Sequence, residues 1–503
     1  RLTVGSVIYA DKKAIEQALT GAAKAFTEWR LCSAETRADY LLKAADLLEQ
    51  YRLELVSLCI REGGRTIKDA LAEVREAVDF CRYYAQSAIE LFSAPIKLPG
   101  PTGEENLLFH YGRGVFVCIS PWNFPIAIFI GQITAALAAG NTVIAKPATQ
   151  TSLTAMRCVE ILHQAGIPEL VLQFLPASGS LIGQHLLPDA RVAGVAFTGS
   201  TETAQFINRQ LAQHHQAVVP LIAETGGQNV MIADSSALLE QLVQDAIVSA
   251  FNSAGQRCSA LRVLFVQEEI AYKAIAMLIG AMQELSMGDP GVYKTDIGPV
   301  IDQTAWVSLN VHLEKMQQQA KLLYRLPLDN LSSTEMNCGF YPPLPSGWGE
   351  GFQKNANRDH PLYSLRYGSF FPPCLLEINS LSQLTHEVFG PILHIIRYGS
   401  SELKQVIDAV NSTGYGLTLG IHSRIDANIK TIRQGVKVGN IYINRNMIGA
   451  VVGVQPFGGM GLSGTGPKAG GPDYLRRFAI EQTVTTNTAA IGGNASLLVK
   501  DLR

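Results

Sequence analysis

Beyond about Gly114, short apolar runs alternate with helical segments, and this alternation limits the possible folds more than any other feature. The runs predict β-strands at 115–119, 142–145, 171–175, 192–197, 218–222, 230–233 and 263–266. Between them, apolar residues at helical spacing predict helices at 126–139, 153–165, 202–214, 238–251 and 269–285. Strands that are apolar along their whole length are typical of a parallel sheet covered by helices on both faces. The sequence therefore predicts an α/β protein with two successive strand–helix series, the second starting near Asn229.

The segments outside these two series have different patterns. Residues 11–92 carry apolar side chains at helical spacing and predict helices. Residues 95–112 place prolines and glycines between short apolar stretches, which predicts an exposed, hairpin-like excursion. Residues 330–372 are rich in Ser, Pro and Gly and predict a long irregular loop, of the kind that forms a peripheral insertion.

Composition excludes several classes of protein. The chain has 503 residues, of which 47% are hydrophobic and 17% charged, so two or three domains with large cores are expected. The formal net charge of −2 argues against nucleic-acid binding, and no run of about 18 apolar residues predicts a membrane span. Eight scattered cysteines without a CxxC pair or a metal-like cluster favour reduced thiols, a cytoplasmic location and no metal. Because the chain starts with Arg and lacks a signal-peptide profile, we expect a piece of a longer protein.

Two loop segments carry candidate reactive groups. Cys258 lies in a loop between a predicted helix and a predicted strand, where the neighbouring Arg257 would favour its thiolate. Glu224 follows the end of a predicted strand and lies beside two glycines, a suitable place for a general base that acts through water. Taken singly, a half-buried structural cysteine and a solvated glutamate explain these residues equally well or better.

Two further junctions between strands and helices could bind anionic groups. Prolines flank Asn123, and its fixed side-chain amide could stabilise an oxyanion or, alternatively, cap the following helix. Gly199 and Ser200 precede a predicted helix, where the backbone could bind phosphate or Ser200 could serve only as the helix cap.

One apparent nucleotide-binding motif is rejected. Residues 459–464 match G-x-G-x-x-G, but the segment that follows, 465–472, is too rich in Gly and Pro to form the required helix.

In this order, the segments around Asn123, Ser200, Glu224 and Cys258 resemble the aldehyde dehydrogenase superfamily over nearly the whole chain. The resemblance also rests on 145–148 (AKPA), 387–391 (EVFGP) and 456–459 (PFGG). Segments 222–227, 253–263, 444–453 and 487–498 are most similar to the L-glutamate-γ-semialdehyde (pyrroline-5-carboxylate) dehydrogenase half of bacterial bifunctional proline-utilisation proteins.

The resemblance implies an architecture and partners. Its fold consists of two doubly wound open sheets and a small β flap for oligomerisation. The implied parts are an NAD-binding domain at 1–93 and 113–225, a catalytic domain at 226–462, and a flap and tail at 94–112 and 478–503. It further implies NAD as cofactor, a homodimer at least, and a flavin-dependent proline dehydrogenase domain upstream in the full-length chain.

The resemblance also implies a role for individual residues. Cys258 would attack the aldehyde, Asn123 and the Cys258 N–H would stabilise the oxyanion, and Glu224 would activate water to hydrolyse the thioester. The implied cofactor-binding residues are Ile119, Ser120, Pro121, Trp122, Lys146, Ala148, Gly199, Ser200, Thr225, Gly226, Glu387 and Phe389. The implied substrate-binding residues are Phe124, Arg257, Ser259, Gly449, Ala450 and Phe457. The anchor for the substrate carboxylate would be Ser259 with the N–H groups of Gly449 and Ala450.

Alternatives stay open on the sequence alone. A general or different semialdehyde dehydrogenase would share the chemistry but not the carboxylate anchor. An acylating dehydrogenase would lack a base at Glu224, and a non-catalytic relative would have lost Cys258, Asn123 or Glu224, yet all three are present. Thr149 stands where many relatives carry a glutamate that disfavours a 2′-phosphate, which leaves the choice between NAD and NADP open.

Overall fold

In the computed structural model, which describes residues 4–101, 103–214, 217–327 and 368–488, the chain begins with a group of helices. They are α1 (Lys12–Trp29), α2 (Ala34–Gln50), α3 (Arg52–Gly63) and α4 (Ile67–Phe92). Helices α1, α2 and α4 begin where a side-chain oxygen of Asp11, Ser33 or Thr66 accepts a backbone N–H bond. The helices expected within 11–92 are therefore confirmed.

The first sheet is entirely parallel, with the strand order β5-β4-β3-β6-β7. Its strands are β3 (Val115–Ile119), β4 (Thr142–Lys146), β5 (Leu172–Phe174), β6 (Val192–Thr198) and β7 (Leu221–Glu224). Its helices are α5 (Ala127–Ala138), α6 (Ser152–Gln164), α7 (Gly179–His185) and α8 (Thr201–His214). Alternate residues of β3 enter two separate cores, Phe116 on one face and Val117 on the other. Because β3 pairs with both β4 and β6, the strand order changes direction there and the carboxyl ends of β3 and β6 border a crevice.

One predicted strand of this sheet was misplaced. The sequence predicts a strand at 218–222, whereas β7 spans Leu221–Glu224 and Val218 is 98% exposed. Pro220 cannot donate a backbone hydrogen bond, and its carbonyl accepts the bond that starts the pairing with β6. The correction moves Glu224 to the last position of the strand.

The second sheet has the order β10-β11-β12-β9-β8-β14-β15 and is parallel except for the edge strand β10. Its strands are β8 (Val230–Ala233), β9 (Val263–Gln267), β10 (Lys321–Arg325), β11 (Cys374–Glu377), β12 (Ile392–Tyr398), β14 (Thr418–His422) and β15 (Asn440–Ile443). Its helices are α9 (Leu239–Phe251), α10 (Glu268–Gln283), α11 (Gln303–Gln317), α12 (Leu403–Ser412) and α13 (Asp426–Gly435). The strands and helices predicted between 230 and 285 are confirmed. The irregular loop predicted at 330–372 lies, up to residue 367, outside the described residues.

A third, antiparallel sheet consists of β1 (Ile96–Leu98), β2 (Glu104–Gly112) and β17 (Ala479–Asn487). It confirms the hairpin-like excursion, and it joins that excursion to the end of the described chain through nine residue pairs between β17 and β2. A short pair, β13 (Tyr415–Gly416) with β16 (Met460–Gly461), contains part of the rejected G-x-G-x-x-G segment, which opens no helix. Within the described ranges, no helix is both long and apolar enough to cross a membrane.

Candidate active site

Cys258 follows a left-handed backbone turn between α9 and β9. Ser253, Ala254 and Gly255 have φ angles of 57°, 53° and 66°, a region that non-glycine residues rarely occupy. A Cβ on Gly255 would lie 2.2 Å from the carbonyl oxygen of Gly390, so this position also requires glycine for space. Consecutive strained residues of this kind persist where the surrounding structure holds them, and they are typical of functional loops.

Two cavities meet at Cys258. A cleft of about 410 Å³ lies at the carboxyl ends of β3, β6 and β7, and a second cavity of about 390 Å³ lies on the other side of the cysteine. Cys258 and Thr225 line both cavities, while Glu224 lines only the second. A larger groove of about 640 Å³ lies next to α8, and Cys258 is not among its lining residues. We call the first cavity the strand-end cleft and the second the inner cavity.

The strand-end cleft collects most of the residues predicted to bind cofactor. Those that line it are Pro121, Trp122, Gly199, Ser200, Thr225, Gly226, Glu387 and Phe389. Ile119, Ser120, Lys146 and Ala148 are not among its lining residues. Ile119 and Lys146 are nevertheless paired in register at the ends of β3 and β4, at the same edge of the sheet.

The inner cavity collects all the residues predicted to bind substrate. They are Phe124, Arg257, Ser259, Gly449, Ala450 and Phe457. Neither Phe124 nor Phe457 is fully buried, and both line this cavity. Sequence reasoning missed Glu76 of α4, which also lines this cavity. Burial, followed by the charge of Glu73, raises the pKa of Glu76 to about 7. No local motif marks it, since it is one of many charged residues on a long helix.

Asn123 is 6% exposed and lines the cleft beside Cys258. Its Nδ2 donates a hydrogen bond to the Gln256 carbonyl at 3.1 Å, which fixes the amide against the nucleophile loop. The N–H of Ile126 at the start of α5 is bonded instead to the Glu73 carboxylate at 3.1 Å. The alternative in which Asn123 caps this helix is therefore wrong.

Ser200 both caps a helix and lines the cleft. The N–H of Thr203 donates to its Oγ at 3.3 Å, so the capping alternative describes a real contact. The hydroxyl nevertheless faces a cavity at the N-terminus of α8, where the helix dipole favours anions.

Glu224 is 9% exposed and is held by one backbone hydrogen bond, from the N–H of Gly459 at 3.1 Å. Its other oxygen, Oε1, has no hydrogen-bond partner among the described residues. A Cβ at Gly458 or Gly464 would lie less than 3 Å from the carboxylate (2.8 and 2.9 Å), so both positions need glycine to accommodate it. Burial raises the pKa of Glu224 to about 8, although the Gly459 bond and the charge of Lys468 oppose the shift.

The charge of Arg257 lowers the pKa of Cys258, as the sequence predicts, but burial of the thiol outweighs this effect. Arg257 donates to Asp69 at 2.8 Å and to Ser253 Oγ at 3.0 Å, so its charge is largely neutralised by a buried carboxylate. Burial raises the pKa of Cys258 to about 12, and the charges of Glu387 and Glu224 add to the increase. The cysteine is therefore a thiol at neutral pH, and forming the thiolate requires a base or a change in its surroundings.

The residues of the strand-end cleft fit a nicotinamide dinucleotide. A Cβ on Gly226 would lie 1.7 Å from Glu387 Oε2, so the glycine lets this carboxylate enter the cleft. Phe389 and Trp122 contact each other edge to face at 5.7 Å, forming an aromatic wall beside it. With an anion-favouring helix start at one end and a carboxylate suited to ribose hydroxyls at the other, the donor set matches such a cofactor.

Comparison with known proteins identifies the class. The profile of the aldehyde dehydrogenase family matches residues 1–342 and 351–484. The chain belongs to the aldehyde dehydrogenase family, whose members use NAD or NADP. The α/β fold with two open sheets and an antiparallel flap agrees with this assignment.

Individual relatives are more specific. The chain is 48% identical to the bifunctional protein PutA of Klebsiella aerogenes, over 94% of this chain and 33% of that protein. It is 34% identical to 1-pyrroline-5-carboxylate dehydrogenase of Geobacillus kaustophilus, over 96% of this chain and 87% of that protein. A crystal structure of a Bradyrhizobium japonicum proline utilization A mutant is similar with a TM-score of 0.87 and 50% identity, covering 96% of this chain and 46% of the other. The chain thus spans about a third of the length of the curated bifunctional relatives it matches.

Proposed function

We propose that this chain oxidises L-glutamate-γ-semialdehyde to L-glutamate with NAD, through a cysteine thioester, as the second step of proline catabolism. The observation that carries the proposal is one inner cavity. It is lined by Cys258 and Glu224, by the backbone of Gly449 and Ala450, and by the carboxylate of Glu76. The names of the relatives at 48% and 34% identity support the same substrate, because 1-pyrroline-5-carboxylate is the cyclic form of this semialdehyde.

The substrate has three recognisable parts, and the cavity offers a partner for each. The α-carboxylate would bind the hydroxyl of Ser259 and the N–H groups of Gly449 and Ala450. The α-ammonium would pair with Glu76, whose carboxylate has no oppositely charged partner within hydrogen-bond distance among the described residues. The aliphatic stem would lie between Phe124 and Phe457, which leaves the aldehyde carbon near Cys258.

The chemistry begins at the sulfur of Cys258. The thiol releases its proton to solvent water, and the thiolate sulfur attacks the aldehyde carbon. This gives a tetrahedral hemithioacetal whose oxyanion accepts hydrogen bonds from Asn123 Nδ2 and the Cys258 N–H. When bound, the nicotinamide supplies a two-electron acceptor for the hydride on that carbon. Glu224 then removes a proton from water, which attacks the resulting thioester and releases L-glutamate and the thiol.

The cofactor would occupy the strand-end cleft. The carboxylate of Glu387 would hold the nicotinamide ribose beside Phe389, and the start of α8, with Gly199 and Ser200, would hold the pyrophosphate. Trp122, Pro121, Thr225 and Gly226 would form its walls. Lys146 at the end of β4 would reach the adenosine ribose, with Ile119, Ser120 and Ala148 shaping the neighbouring backbone. NAD is proposed over NADP by resemblance alone, because Thr149 supplies no carboxylate that would exclude a 2′-phosphate.

A rival function needs a different fate for the thioester. An acylating dehydrogenase would pass it to coenzyme A, and the buried base Glu224 in the same cavity as Cys258 favours water instead. A general aldehyde dehydrogenase remains the second candidate, because it would use the same nucleophile without the carboxylate anchor.

The same proposal covers the oligomeric state, the domain boundaries and the location of the protein. We propose a homodimer formed through the flap at 94–112 and 478–503, domains divided at 225 and 462, and an upstream flavin-dependent proline dehydrogenase domain in the full-length protein. A cytoplasmic location is supported by the seven cysteines of the described residues, all of which are free thiols.

The test compares substrates under identical conditions. We expect kcat/KM for glutamate semialdehyde to exceed that for pentanal or butanal strongly, by up to roughly 10⁴-fold, because the anchor N–H groups would be left unpaired by the uncharged aldehydes. Solvent access to the anchor would reduce this ratio. Equal kcat/KM values would contradict the proposed substrate and would indicate a general aldehyde dehydrogenase.

A further inference from the structure

Arg262 lies four residues after Cys258, immediately before β9, and its side chain is 1% exposed. Its Nη1 donates to the carbonyl of Gly255 at 2.6 Å, and its Nη2 donates to the carbonyl of Arg257 at 2.9 Å. Both carbonyls belong to the loop that carries the nucleophile. One buried guanidinium therefore holds that loop at two points just before Cys258.

The same guanidinium also holds the wall of the strand-end cleft. Its Nη2 forms an ion pair with Glu387 Oε1 at 2.9 Å, and its Cζ lies 5.1 Å from the centre of the Phe389 ring. Nη1 additionally approaches the carbonyl of Gly390 at 3.4 Å. The segment 387–390 and the nucleophile loop are thus joined through the side chain of Arg262.

We propose that Arg262 is a positioning residue that fixes the Cys258 sulfur and the Glu387 carboxylate relative to each other, so that the aldehyde carbon and the cofactor meet in one geometry. Arg262 lines neither cavity, so it acts through Cys258 and Glu387 rather than on the reactants. The inference rests on the proposed function, because it assigns Glu387 to the cofactor and Cys258 to the aldehyde.

The geometry explains why arginine is needed. A planar guanidinium reaches two loop carbonyls and a carboxylate with donors on separate nitrogens, whereas the three donors of lysine all share one nitrogen. The positive charge of Arg262 also acts directly on the Cys258 thiol. The ionisable groups that act on Cys258 are Glu224, Glu387, Arg257, Arg262 and Tyr442. Among them Glu387 raises the pKa of the thiol and Arg262 lowers it.

The experiment uses three variants, Arg262→Met, Arg262→Lys and Glu387→Gln, and three readouts. The readouts are the rate of Cys258 alkylation by iodoacetamide between pH 7 and 10, the Kd of NAD from fluorescence quenching, and the amplitude of the NADH burst. Folding of each variant is checked by thermal melting. We expect Arg262→Met to slow alkylation, by about tenfold for each unit by which the thiol pKa rises, and to weaken NAD binding.

A positioning role predicts that Arg262→Met and Glu387→Gln change the alkylation rate in opposite directions, whereas a merely structural role does not. Glu387→Gln should speed alkylation while it weakens NAD binding. Arg262→Lys should recover most of the alkylation rate but not the burst amplitude, because it restores the charge without the fork of hydrogen bonds. If Arg262→Met leaves alkylation and NAD binding unchanged, or if Arg262→Met and Glu387→Gln shift alkylation in the same direction, the proposal is wrong.

Failure of the proposed function would be visible separately. If Arg262→Met does not fold, Arg262→Lys and Glu387→Gln still decide the outcome through alkylation and burst amplitude. If the wild-type chain does not oxidise glutamate semialdehyde, the substrate is wrong, yet the alkylation and NAD-binding readouts still test Arg262.

Discussion

The guanidinium of Arg257 donates to the Asp69 carboxylate at 2.8 Å, across 188 positions of sequence. Asp69 is 3% exposed on α4, and it also accepts the hydroxyl of Ser253 at 2.8 Å. Burial opposes ionisation, but the charges of Arg65 and Arg257 hold the pKa of Asp69 below its ordinary value. This pair therefore ties the left-handed turn before Cys258 to the helix that borders the inner cavity.

Asp69→Asn should lower the free energy of unfolding by about 3 kcal/mol, because it leaves the largely buried Arg257 without its paired carboxylate. Chemical denaturation of the variant measures the loss. The matched control is Glu16→Gln, which removes the carboxylate of an exposed pair with Arg191 and should change the free energy of unfolding far less. Equal losses for the two variants would mean that the buried pair is not what stabilises the loop.

Cys258→Ala should abolish aldehyde oxidation and leave NAD binding nearly intact, because the thioester needs sulfur whereas the cofactor contacts come from other residues. Steady-state rates and a cofactor titration measure the two properties. Cys32→Ala, at a half-exposed cysteine of the N-terminal helical region, is the control and should retain full activity. Substantial oxidation by the Cys258 variant would refute the assignment of the nucleophile.

Glu224→Gln should permit a single NADH burst followed by stalled turnover, since the base acts only on the thioester. In the wild type, burial raises the pKa of Glu224 to about 8, and only the ionised form accepts a proton from water. Where hydrolysis limits the rate, kcat should therefore rise with pH and level off above about 8. Stopped-flow absorbance at several pH values tests both statements. A variant without any burst would show that Glu224 is required earlier, for instance to deprotonate Cys258.

Glu76→Gln should raise KM for glutamate semialdehyde by roughly tenfold and change kcat little, because it removes a charge that pairs with the ammonium group far from the reacting carbon. The effect should grow above pH 7, where Glu76 is ionised in the wild type (pKa about 7). Glutarate semialdehyde, which has the same carbon chain without the ammonium, is the control substrate. An equal rise in its KM would assign Glu76 to the shape of the cavity instead.

The antiparallel flap should pair two copies of the chain. In the described structure, β17 is an edge strand of nine residues, paired with β2 on one side. Such an edge pairs readily with another chain. We expect at least a dimer by light scattering at micromolar concentration, and Val484→Asp on this strand should weaken it. Val307→Asp, at a similarly exposed valine of α11, should leave the mass unchanged. A monomeric wild type would contradict the prediction.

Much of the fold could be predicted because it depends on local pattern. The strands at 115–119 and 230–233 match the structure residue for residue, since a run of apolar residues between turn signals leaves few alternatives. The strand near 218–222 was misplaced because apolar character alone cannot show that a proline delays the start of the strand. Cys258, Glu224 and Asn123 could be singled out because each stands in a short motif at the end of a strand or helix.

The sequence by itself determined the α/β class, the order of the elements and the chemical groups available for catalysis, because these follow from residue identity and short-range spacing. Only the tertiary structure decided the charges around those groups. It joined Arg257 to Asp69, brought Glu76 into the inner cavity and placed Glu387 against Gly226. These contacts join residues far apart in the chain, and burial then sets the pKa of Cys258 and Glu224. No short-range pattern encodes either the partner or the burial, so neither can be read from the local sequence.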